Sequence, residues 1–181
     1  MPLLTLDPMT FRAPPTAVAP DDFRVAMRRV PAAVTVVTTV LDGVRHGLTA
    51  TAVTSVSADP AQLLVCVNRA TRSAAAISRS GRFGVNYLGA AQIAVAEAFA
   101  APVADPTDRF RDVAVRLCPA AVPLLRGALA AFSCTVNSEI HSGTHAVFIG
   151  QVTHLVGRDT TPLLYQDGAF TTRTSSEGAD R

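Results

Sequence analysis

Three short segments carry side chains that could bind or transform a small molecule. In Val65-Cys66-Val67-Asn68-Arg69-Ala70-Thr71-Arg72-Ser73, a β-branched run passes through arginines and hydroxyls into an alanine-rich stretch. A helix starting there offers unpaired amides and the positive end of its dipole. With Arg, Thr and Ser beside it, that end stabilises a phosphate by about 0.3–2 kcal/mol from the dipole alone. The same residues also suit a capped surface helix with solvated arginines. The second segment, Thr49 to Ser57 (TATAVTSVS) behind Gly47, is small and hydroxyl-rich. Such a wall lets a planar ligand reach the main chain and satisfies its polar edge, where each unmet donor or acceptor costs about 1–3 kcal/mol. An alternating strand whose threonines only serve β propensity would look the same. The third is His141-Ser142-Gly143-Thr144-His145. Its histidines have the helical metal spacing, but Ser-Gly between two strand-like runs reads as a hairpin, so no metal site is expected. His145 is left as a lone ring facing a cleft or hydrogen-bonded at a strand start.

Other chemistries leave no trace. There is no GxSxG, HExxH or GxGxxG, so neither a hydrolase elbow, a zincin nor a Rossmann nucleotide site is indicated. A reaction carried by a bound redox coenzyme needs no acid, base or nucleophile visible in the sequence. Cys66, Cys118 and Cys134 are odd in number, far apart and lack a CxxC, which suits buried thiols better than disulfides or zinc. All sixteen basic residues are Arg, the net charge is +2, and aromatics are 6%. Without a basic stripe or stacking platform, nucleic acid is not an expected partner. No apolar run is long enough for a membrane span, and the N-terminus lacks the cationic and apolar regions of a signal peptide, so a cytoplasmic protein is expected.

The elements that must position these segments follow from pattern. With 181 residues, one domain is expected. Residues 1–20 and 171–181 read as flexible tails around a folded part at 21–170. Asp21 and Asp22 can cap a helix over 23–29, along which and just past whose end Phe23, Ala26, Met27 and Val30 recur at helical spacing. Strands are expected at 34–41, from 45 onward after an Asp42-Gly43 turn, at 63–67, 83–88, 128–138 and 146–156, and near 169–172. Helices are expected at 71–79, closed by Gly81, and at 90–100. The four prolines of 101–123 suggest an excursion. At least six strands against two or three short helices favour a mainly β, antiparallel, closed or partly closed barrel.

The chain also resembles the short-chain flavin reductases, the reductase components of two-component flavin-dependent monooxygenases. The resemblance rests on Phe23-Arg24-x-Ala26-Met27-Arg28-Arg29, Val34 to Thr39, His46-Gly47-Leu48-Thr49-Ala50 and Thr54-Ser55-Val56-Ser57-x-Asp59-Pro60. It continues through Leu64 to Arg69 and Ser73, Gly81 to Leu88, Pro123 to Ala130, and Gly143-Thr144-His145-x-Val147-Phe148-Ile149-Gly150. It implies a split, Greek-key-like β-barrel that forms a homodimer, with FMN or FAD in a groove near the interface and NADH or NADPH as reductant. Thr49, Ala50 and Thr51 with Ser55, Val56 and Ser57 would line the flavin ring. Cys66, Val67 and Asn68 would follow the ribityl chain, and Arg69, Thr71 and Ser73 the phosphate. His145 would position flavin and nicotinamide, and Phe170 would approach the ring. The implied activity is hydride transfer from NAD(P)H to flavin, with reduced flavin passed to a partner monooxygenase. A permanently bound flavin acting on another substrate, or a non-catalytic flavin or haem carrier, are the alternatives. The family commonly has Asp before this histidine; here Thr144 stands there.

Overall fold

The computed structural model describes residues 17–172. The expectations for residues 1–16 and 173–181 lie outside them. In chain order the elements are α1 (Pro20–Arg28), β1 (Ala32–Ala33), β2 (Thr35–Leu41), β3 (Val44–Ala50), β4 (Val53–Ala58), β5 (Ala61–Asn68), α2 (Arg72–Ser80) and β6 (Arg82–Tyr87). Then come α3 (Ile93–Ala100), β7 (Val115–Leu117), β8 (Pro123–Leu125), β9 (Ala130–Ser142), β10 (His145–Gly157), β11 (Leu163–Gln166) and β12 (Ala169–Thr172). Among the described residues no helix is long and apolar enough to cross a membrane.

Seven strands form one antiparallel sheet in the order β3-β2-β6-β9-β10-β5-β4. Its two edges, β3 and β4, are consecutive in the chain and separated only by Thr51-Ala52. Laid flat, the edges would stand six spacings of about 4.8 Å apart, near 29 Å. From Ala50 to Val53 the chain can reach only about 11 Å. The sheet therefore curls until its edges approach at that link, which is the split of a split β-barrel. Small β1, β11 and β12 form a second sheet, and β7 with β8 a third.

The β-branched run of β2 is explained by burial on both faces. Val37 joins Val65, Val67, Ile77, Phe83, Val85 and Phe148 in the main core, into which α2 packs Ala74 and Ile77. Val36, with Val34 before it, faces a second core of Leu88, Ala96, Phe99, Phe110, Leu125 and Leu163 under α3.

Several expected boundaries move. The first helix starts at Pro20 because proline is pre-organised for the first helical position; Asp21 and Asp22 fall inside its first turn and cap nothing. Residues 90–92 form a 3₁₀ turn before α3, held by the Gly89 amide donating to Gln92 Oε1 at 3.0 Å. The hydroxyl-rich stretch 49–57 is not one wall. It ends β3, crosses the split and begins β4.

Candidate functional site

A cavity of about 730 Å³ opens at the split, within the range of small-molecule sites. Its floor is Leu48–Ala52, the end of β3 and the link. Cys66 and Asn68 of β5 and His145 of β10 form one side, Glu97, Ala100 and Ala101 another, and Tyr165, Gly168 and Phe170 of the β11–β12 hairpin a third. Tyr165 and Phe170 are cross-strand partners whose rings meet edge-on at 5.4 Å. The floor is open because Thr49, Ala50, Thr51 and Ala52 are small. Thr49 Oγ1 donates to the Ala96 carbonyl at 2.6 Å, so this hydroxyl fastens β3 to α3 rather than standing free.

Register brings two distant motifs together. His145 pairs with Asn68 across β10 and β5, and the Arg69 amide donates to the Thr144 carbonyl at 2.9 Å. Thr144 Oγ1 lies 2.8 Å from His145 Nδ1. The hydroxyl thus occupies one ring nitrogen and leaves Nε2 as the free hydrogen-bonding atom. Beyond Asn68 the chain turns sharply. Asn68 Oδ1 accepts from the Ala70 amide at 2.9 Å, and its carbonyl accepts from Thr71 Oγ1 at 2.8 Å. Thr71 Oγ1 in turn accepts from the Ala74 amide at 3.1 Å, capping α2, while Gly81 closes it at φ +65°. The amides of Arg72 and Ser73 are left without intrahelical partners, as the first turn of any helix dictates.

A second cavity of about 440 Å³ lies over that first turn, lined by Thr71, Arg72, Ser73, Phe99, Pro102, Val103, Pro106 and Arg109. Leu48, Thr49 and Ala100 line both cavities, so the two are chambers of one groove. Arg109 donates to the carbonyls of Gly47 and Ala101, tying the excursion to β3 and α3. Its Nε is shielded from solvent and has no acceptor.

His46, on β3 near Arg72 and Asp105, has a buried Nδ1 with no partner. Burial and then the Arg72 charge lower its pKa from the ordinary 6.5, against a smaller opposing pull from Asp105. The unfolded chain therefore takes up this proton first, and stability falls as pH drops from 6.5 toward the lower folded value. We expect the thermal midpoint to fall between about pH 7.5 and about pH 5.5, where carboxylates stay ionised. His46→Gln is expected to flatten that slope; an unchanged slope would show that the proton goes elsewhere. Burial pushes the Cys134 thiol up to about 12, so it stays protonated. Among the described residues no group of three or more His, Cys, Asp or Glu could hold a metal.

A family model described as the flavin reductase like domain matches residues 27–174. The chain belongs to the flavin reductase-like family. It is 42% identical over 153 residues to the reductase component of the FADH(2)-dependent resorcinol hydroxylase of Rhizobium sp. (strain MTP-10005), covering 83% of this chain and 85% of that one. It is 38% identical over 149 residues to the reductase component of 4-nitrophenol 4-monooxygenase/4-nitrocatechol 2-monooxygenase of Rhodococcus opacus, covering 82% and 78%. The solved structure of the NADH:FAD oxidoreductase SgcE6 of Streptomyces globisporus C-1027, in complex with NAD and FAD fragments, superposes with a TM-score of 0.82 at 28% identity, covering 90% of this chain and 99% of that one.

In this flavin reductase-like chain the sequence-derived site residues divide. Thr49, Ala50, Thr51, Cys66, Asn68, His145 and Phe170 line the larger chamber, and Thr71 and Ser73 the smaller. Val67 lines neither: its side chain is fully buried in the main core, because β5 alternates and places Cys66 and Asn68 on the cavity side. Ser55, Val56 and Ser57 also line neither. They sit on the edge strand β4, where a register shift between Ser55 and Ser57 leaves Val56 without a partner on β5. Arg69 is likewise outside both chambers; the Glu139 carboxyl, held below its ordinary value chiefly by the His141 hydrogen bond, also feels the Arg69 charge. The arginines that line the smaller chamber are Arg72 and Arg109. Arg109 was hidden in the proline-rich excursion, 62 residues from its Gly47 acceptor; only the break in pattern there pointed to that segment.

Proposed function

We propose that the protein is an NAD(P)H:flavin oxidoreductase that supplies reduced flavin to a partner monooxygenase. The observation that carries this is the two-chamber groove at the barrel split, in a chain of the flavin reductase-like family. The larger chamber combines small floor residues with a rim of Tyr165 and Phe170, a space shaped for a flat ring. The smaller presents free amides and two arginines, a space for an anionic tail. These residues fit a flavin nucleotide, whose ring system, when bound, accepts hydride from the nicotinamide.

The work of the chain is then to hold and orient. The floor Thr49–Ala52 excludes water from one face of the chamber. Cys66 and Asn68 line the passage from ring to tail, and Thr71 and Ser73 stand at the tail's end. His145, oriented by Thr144, presents Nε2 toward the chamber and positions the ligands without forming bonds to them. Such positioning can lower a barrier by several kcal/mol when reacting atoms are held about 3–3.5 Å apart. The groove opens to solvent, which supports a flavin that enters and leaves as substrate.

The test is a steady-state assay crossing NADH and NADPH with FMN and FAD. Purified protein is expected to oxidise nicotinamide only when flavin is added. His145→Ala is expected to lower turnover about ten- to hundredfold with flavin affinity largely kept. No nicotinamide oxidation with either flavin would overturn the reading.

The functional unit we propose is a homodimer joined through α1, working in the cytoplasm where its nicotinamide reductants are made. No residue of α1 is buried, and Phe23, Val25 and Met27 are each at least half exposed. A cavity of about 450 Å³ beneath that helix shares Thr51, Ala52 and Tyr165 with the larger chamber. Exposed apolar faces of this kind mark association sites. Sedimentation should give twice the chain mass, and Phe23→Asp combined with Met27→Glu should give monomers; a monomeric wild type would remove the proposal.

A further inference from the structure

The smaller chamber is larger than an anion requires. It measures about 440 Å³, whereas a terminal phosphate displaces only a few waters of about 30 Å³ each. Its walls are of two kinds. One carries Arg72 and Arg109; the other is apolar, made by Pro102, Val103 and Pro106. Cations beside an apolar wall suit a phosphate joined to an aromatic base.

The apolar wall is held from two sides. Arg109 ties its ends to β3 and α3 through the Gly47 and Ala101 carbonyls, and Arg72 Nη1 donates to the Ala104 carbonyl. The Asp105 carboxylate, in the same segment, is occupied by the amide and hydroxyl of Thr107. Because Leu48, Thr49 and Ala100 border both chambers, one extended molecule can fill the two together.

We propose that the smaller chamber receives the adenylate half of a dinucleotide flavin, so that this protein takes FAD in preference to FMN. The proposal rests on the flavin reading above. Each phosphate oxygen there meets the α2 amides or an arginine, and the base lies against Pro102, Val103 and Pro106.

Calorimetric titration of the full chain with riboflavin, FMN and FAD tests it. FAD is expected to bind at least about tenfold more tightly than FMN. Val103→Trp, which fills the chamber, is expected to bring that ratio within about threefold. A measurement on the wild type needs no variant to fold: AMP should bind saturably to the riboflavin complex, whose smaller chamber is open, and not to the FAD complex. FMN binding as tightly as FAD, or no AMP binding beside riboflavin, would overturn the preference and leave the flavin reading standing. Failure of all three flavins to bind would overturn both.

Discussion

Ala100→Trp is expected to raise the KM for flavin about a hundredfold while the thermal midpoint stays within a few degrees of the wild type. Ala100 is the last residue of α3, exposed, and borders both chambers where they join. An indole there occupies the neck through which a ring in the larger chamber connects to a tail in the smaller. Forcing a ligand past excess bulk costs about 1–3 kcal/mol, and a hundredfold corresponds to about 2.7. Because Ala100 lies on the surface rather than in the core, the fold loses little packing. Steady-state kinetics with varied flavin and a thermal melt check both halves. A normal KM would show that the two chambers do not share one ligand. A large drop in midpoint would show that the residue is structural.

The fold was legible where local chemistry decides it. The β-branched run 34–41 marked β2, the apolar run 63–67 marked β5, the Asp42-Gly43 turn marked the first hairpin, and Thr71 with Gly81 bracketed α2. Their identities depend on neighbours a few residues away. What pattern cannot show is where the ends of a sheet meet. The strand order places β3 and β4 at opposite edges, and only the shortness of Thr51-Ala52 forces the closure that makes the groove. For the same reason the hydroxyl-rich stretch read as one wall, although Ser55–Ser57 fall beyond the split on a bulged edge strand.

The site was legible in its motifs and not in its roof. Asn68 and His145 each stood in a recognisable segment, and strand register makes them partners. The motif includes Val67 because it is contiguous, whereas a strand shows only alternate side chains to a cavity. Arg109 lies on the 3₁₀ turn Pro106–Phe110, with neither periodicity nor a motif around it. Its importance comes from two carbonyls that only the tertiary fold brings near.

Gly150→Ala is expected to cost about 3 kcal/mol, lowering the midpoint by about 6–12 °C. A glycine inside a strand weakens it unless something must come close. Here an added Cβ would lie 2.5 Å from Phe83 Cε1, 2.7 Å from Cζ and 2.9 Å from Cys134 Cβ. Phe83 and Cys134 are both fully buried in the main core, and the β9–β10 register shifts between Ile149 and Gly150. The ring of Phe83 therefore lies where every other residue would carry a side chain, and a core packed at crystal-like density cannot move it cheaply. Phe83→Leu removes the clashing ring atoms at a cost of about 1 kcal/mol by itself. If the ring contact is what excludes a side chain at 150, the double variant should be more stable than the sum of the two losses by at least about 1 kcal/mol. Denaturant unfolding of the four proteins measures that coupling. Strict additivity would mean that the bulge itself, and not the phenyl ring, requires glycine at this position.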